Sequence, residues 1–178
     1  MSPNSDAIEH TILMFSQIYL GGIPPTITND SAYLSFICVL TGIEALAGYR
    51  YSDVKGNAAP GERFRRFVAK YFPGTYGNYV DDLWEFRCGV VHSFTPGKFR
   101  LMHHHSECHL TLDNGAVVLN AEDFYGALLW AAQKYVAELR IDPNLRSLMM
   151  ARLASPDGGG ISVGLTEGPK APNDPSPC

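Results

Sequence analysis

The run from Asp30 to Tyr49 constrains this chain more than any other. Tyr33, Phe36, Ile37, Leu40, Ile43 and Ala47 repeat at helical spacing and form one stripe. Leu34, Cys38 and Val39 make the other faces apolar too. A helix that is apolar nearly all round has no side to give to water, so it belongs at the centre of a bundle. Glu44 is the only acid between Asp30 and Asp53. A carboxylate on such a helix requires a cationic partner or a raised pKa. The central helix therefore starts near Asn29 or Asp30 and carries one charge in search of a counter-charge.

The flanking segments supply the rest of a bundle. Ile8, Ile12, Phe15 and Tyr19 predict a first helix over 6–20, with Ser5 as its cap and Gly21-Gly22 at its end. Phe64, Phe67, Val68 and Tyr71 predict a short helix over 61–72 that Pro73-Gly74 breaks. Val80, Leu83, Trp84, Arg87 and Val91 fall at spacings of three and four and predict a helix over 77–91. The period then changes. KFRLMHH and HLTL-DNG-AVVL read as short strands, and Asn114-Gly115 is a strong hairpin signal. Asn120, with Asp123 three residues on, caps a helix to about Arg140, and Asp142-Pro143 opens a last one over 143–153. From Ser155 core-forming side chains almost vanish among Gly and Pro. The expected organisation is a mainly α domain over 1–154: an up-and-down bundle of four to five helices with an inserted β-hairpin at about 98–119. A flexible, disordered tail is expected over 155–178.

Composition removes several function classes. No uninterrupted apolar run approaches ~18 residues, so no membrane span is expected. The N-terminus lacks the basic and apolar regions of a signal peptide. Cys38, Cys88, Cys108 and Cys178 form no CxxC pair and read as free thiols of a cytoplasmic protein. The net charge of −4 argues against broad, non-specific nucleic-acid binding. The chain has no GxGxxG, Walker A, nucleophile-elbow or HExxH sequence, so no cofactor is expected.

Chemistry concentrates in the segment Asp82-Leu-Trp-Glu-Phe-Arg87-Cys-Gly-Val-Val-His92-Ser. Arg87 and His92 are separated by four residues at the end of a predicted helix. This Arg-x4-His pattern, the helix order and the β-hairpin after the motif helix resemble the HEPN superfamily over roughly residues 6–140. The resemblance implies a helical homodimer with RNA as its partner, and metal-independent endoribonuclease chemistry. Carried over, Arg87 would hold a phosphate with its guanidinium fork and His92 would act as general acid or base. It also implies a toxin or defence role and a separately encoded protein partner. Cys88 departs from the family pattern, because ribonuclease members usually carry a polar residue, often Asn or Asp, directly after the Arg. Five residues along a helix turn through ~500°, so Arg87 and His92 lie ~140° apart and a composite site is easier to build across a two-fold dimer. An architectural reading stands beside this one. Arg87 projects from an apolar stripe and Glu44 needs a cation, so the two would form a buried ion pair in a silent dimerisation module.

Two further clusters stand out. Arg63, Arg65, Arg66 and Lys70 interleave with Phe64, Phe67 and Tyr71, a mixture that grips an RNA backbone and stacks bases, or simply solvates a helix face. His103, His104, His105, Cys108 and His109 carry metal-ligand chemistry. Consecutive residues of a strand point to opposite faces, so the three adjacent His are not expected to converge on one ion. The expected reading is polar residues on an exposed hairpin, with His103, His105, Cys108 and His109 as the weaker metal candidates.

Overall fold

The computed structural model describes residues 3–28 and 30–155, with the backbone alone for 3–6, 91 and 92. Among the described residues the fold is mainly α, with six α-helices and a small three-stranded sheet. The helix expected to start near Asn29 or Asp30 begins instead at Ala32, with Asp30 in the turn before it, while Asn29 itself and the tail from residue 156 onward lie outside the described residues.

Helix α1, Pro3–Met14, begins two residues before Ser5, so Ser5 is not its cap. The expected single helix over 6–20 is not uniform: Phe15–Leu20 widens into a π-helical turn. That turn sets Tyr19 against the next helix, where its hydroxyl donates to the Cys38 carbonyl at 2.6 Å and meets the Thr41 hydroxyl. Burial pushes the Tyr19 phenol up to about 12.

Helix α2, Ala32–Arg50, is the expected central helix. It packs against the four helices that follow it: α3 (Ala59–Tyr71), α4 (Val80–Ser93), α5 (Ala121–Ile141) and α6 (Pro143–Leu153). Phe36, Leu40 and Ile43 are almost fully buried there. Its mean hydropathy of 1.5 over a helix of 19 residues would be enough to cross a membrane, by length and composition only. In this fold 61% of that stretch is buried inside the molecule. The same apolar character that lipid would accept is thus largely covered by helices α3 to α6.

Helix α3 turns Phe64, Phe67, Val68 and Tyr71 inward. Tyr71 ties three helices together: Arg50 Nε of α2 donates to its hydroxyl at 2.8 Å, and that hydroxyl donates to Glu138 of α5 at 2.7 Å. Lys70 joins Glu138 at 2.9 Å. A 3₁₀ turn, Gly74–Tyr79, then leads into α4.

The sheet corrects the expectation of a simple hairpin. Strand β1, Phe99–Met102, pairs in parallel with β3, Ala116–Asn120, with Phe99 opposite Val117. Only β2, Leu112–Asp113, forms an antiparallel hairpin with β3, through the Asn114-Gly115 turn. Both turn residues have positive φ, 50° and 84°, as a tight hairpin with right-handed strand twist requires. Parallel pairing obliges the chain to travel back along the sheet between Met102 and Ala116. His104 and Leu110, at φ 60° and 58°, turn it on the way. Consequently β1 ends before the histidines begin.

The two late caps divide. Asp142 accepts from the backbone N–H of Asn144 at 2.8 Å and of Leu145 at 3.4 Å, as its position before Pro143 predicts. Asn120 stands at the cap of α5, but its side chain makes no capping bond to the helix backbone. It is fully buried, its Oδ1 accepts from His105 N–H at 3.0 Å, and its Nδ2 donates to Asp123 at 2.6 Å. The return loop needed this side chain more than the helix end did.

Candidate functional site

Arg87 sits on α4 and Glu44 on α2, where the two helices pack. Arg87 Nε and Nη2 both reach Glu44 Oε2, at 2.8 and 2.7 Å. The pair is half-buried, with side-chain exposures of 22% and 31%. Two donors on one oxygen are not the parallel fork in which Arg grips both oxygens of a carboxylate.

The pair forms one wall of an open cleft of about 500 Å³. Arg65 and Gly61 of α3 and Trp84 and Cys88 of α4 also line it. Trp84 packs against two guanidinium groups, with Arg87 at 5.5 Å and Arg65 at 5.7 Å from its ring centroid. Such contacts contribute ~0.5–1 kcal/mol each where water still reaches them. Gly61 permits this approach: a Cβ there would stand 2.8 Å from Arg65 Nη1 and 2.9 Å from Trp84 Cε2. Spacing singled out Arg87 and Arg65 in the sequence. Trp84 read only as part of the apolar stripe, and Gly61 carried no signal, since its role depends on where α4 lies.

Glu44 also borders a smaller recess of about 100 Å³, beside Arg63 of α3 and Arg152 of α6. The basic stretch is thereby divided. Arg63 faces this recess and Arg65 the cleft, while Arg66 and Lys70 line neither. Three of the four are ion-paired: Arg65 with Asp81 at 2.5 Å, Arg66 with Glu62 at 3.4 Å, and Lys70 with Glu138 at 2.9 Å. Arg66 and Lys70 also sit over Tyr51 and Tyr71.

His92 belongs to the same helix as Arg87, five residues on, but its side chain lies outside the described residues. Cys88 is half-buried at the cleft, and Cys38, Cys88 and Cys108 are free thiols.

The histidine cluster is drawn into separate arrangements by the return loop. His109 serves the fold: its Nδ1 accepts from Asn120 N–H at 3.1 Å and its Nε2 meets the Tyr76 hydroxyl at 2.9 Å. Burial lowers its pKa against the opposing pull of Asp123. His105 pairs with Glu107 at 3.1 Å, and the Cys108 thiol contacts the same carboxylate. His103 and His104 come together with Glu122 of α5, a residue the sequence did not flag. No protein-family model, no curated protein and no solved structure matches this chain.

Proposed function

We propose that the protein is a HEPN-like RNA-binding or RNA-processing module whose working surface is the cleft of Arg87. The observation that carries this reading is the pairing of two guanidinium groups with a half-exposed indole in one open cleft. Guanidinium forks match phosphate oxygens, and an aromatic face accepts a base of any sequence. In this reading Arg87 holds the scissile phosphate with its guanidinium group. His92 acts as general base or general acid: it takes the proton of the ribose 2′-OH that attacks the phosphate, or gives one to the 5′-oxygen that leaves as the P–O5′ bond breaks, so that the products are a 2′,3′-cyclic phosphate and a 5′-hydroxyl and no metal is needed. The ~140° between the two positions on α4 favours completion of the site by a second copy. A toxin or defence role, with a separately encoded partner in the cytoplasm, goes with the same reading.

The test uses the purified full-length chain with single-stranded RNA in EDTA. Cleavage is expected, with loss in His92→Ala at an almost unchanged melting temperature. Activity that survives in His92→Ala overturns the nucleolytic step. RNA binding that survives in an Arg65→Ala/Arg87→Ala double variant overturns the cleft as the binding surface.

A second reading has its own support. Both polar contacts of Arg87 go to one oxygen of Glu44, on the central helix α2. A catalytically silent dimerisation module needs nothing more of that arginine. It predicts no cleavage and no RNA affinity in the unmodified chain.

A further inference from the structure

We propose that His103, His104 and Glu122 bind a divalent transition-metal ion, with Zn²⁺ the best match to their chemistry. One ligand atom from each of the three lies within 4.8 Å of the others. The inference stands apart from the Arg87 cleft and does not rest on its function.

The backbone builds the cluster. In a strand His103 and His104 would point to opposite faces. However, β1 ends at Met102, and His104 takes φ 60°, a left-handed conformation that Asn, Asp and His adopt more readily than other non-Gly residues. The two imidazoles then meet, with ring centroids 4.6 Å apart. Glu122 arrives from the first turn of α5. Its two oxygens each accept from His104 N–H at 3.1 Å, which fixes the carboxylate against the loop. Asn120 holds the next residue through His105 N–H. The carboxylate and the loop are thus oriented by hydrogen bonds around the site, as the supporting shell of a metal centre is.

Two observations point to a ligand rather than to an ion pair alone. His103 Nδ1 is buried and has no hydrogen-bond partner among the described residues. A buried ring nitrogen left unsatisfied costs free energy that a neighbouring cation removes. The second is the donor set: two imidazoles and a carboxylate are a zinc ligand set with a fourth position for water. Ligands at ~2.0–2.1 Å from a tetrahedral ion stand ~3.3 Å apart. His104 Nδ1 and Glu122 Oε1, at 2.6 Å, therefore open by under ~1 Å to admit the ion. His104 is 65% exposed, so both the entry path and the freedom to adjust are present.

The test is titration of the untagged full-length chain with Zn²⁺ by calorimetry, and with Co²⁺ by visible absorption. One equivalent bound, with ligand-field bands for Co²⁺, is expected. His104→Asn keeps a residue that tolerates positive φ, so the loop stays folded while the ligand is lost. It and Glu122→Gln are each expected to weaken binding by about 100-fold, whereas His105→Ala leaves it unchanged. Absence of stoichiometric binding overturns the proposal. So does unchanged affinity in His104→Asn with a native circular-dichroism spectrum, or a loss in His105→Ala as large as in Glu122→Gln.

Discussion

Glu44 with Arg87, and Glu122 with His104, are both acid–base pairs joining distant parts of the chain, yet they are built in opposite ways. The first joins two regular helices, and its side chains are mostly buried. The second joins a left-handed loop residue to a helix start, and His104 is mostly exposed. In the first, packing places the charges and the charges must then pair. In the second, the loop places the two groups, and water could have served either of them. The difference separates a contact that the fold requires from one that the fold permits. A site of the first kind can keep its arginine without a ligand. A site of the second kind, with His103 Nδ1 left unpartnered beside it, gives the fold little on its own.

The largest expected effect tests that contrast directly. Glu44→Ala leaves a half-buried guanidinium without its acid and should cost about 1–3 kcal/mol, between the ranges for exposed and buried pairs. Chemical denaturation measures it, and a loss below a few tenths of a kcal/mol would remove the distinction. The second effect concerns the return loop, where His109 anchors Asn120 and Tyr76. Its pKa is lowered from 6.5 by burial, so the unfolded chain takes up a proton more readily than the folded one. This contribution to stability is complete above pH 6.5 and falls as the pH drops through the lowered folded value. His109→Gln should flatten the pH profile of the melting temperature in that window. An unchanged profile would show that His109 is not the group responsible. The smallest effect is Glu122→Gln in metal-free protein, expected within about 1 kcal/mol of the parent because the partner imidazole is exposed. A loss as large as that of Glu44→Ala would place both pairs in the same class.

Legibility followed the range of the interactions. Helix α6 matches its sequence reading, residues 143–153, because Asp142 and Pro143 act within one turn. Helix α2 was legible because an all-round apolar run has one place to go. The pairing of Glu44 with Arg87 could be anticipated for the same reason: a charge on that helix demands another. The parallel β1–β3 pairing could not, since KFRLMHH carries no mark of which neighbour it will join. Asn120 misled because a capping signal is local, whereas the His105 amide it serves arrives with the return loop. Trp84 and Gly61 became a cleft only when α3 and α4 met.

By itself the sequence determined the helical architecture, the central place of 30–49 and the need for a cation near Glu44. These follow from apolar periodicity and the cost of burying a charge, which every stretch of chain carries with it. The tertiary structure alone decided which histidines meet. Parallel strand pairing forced a return loop, the loop forced His104 into a left-handed conformation, and that turn brought His103, His104 and Glu122 together.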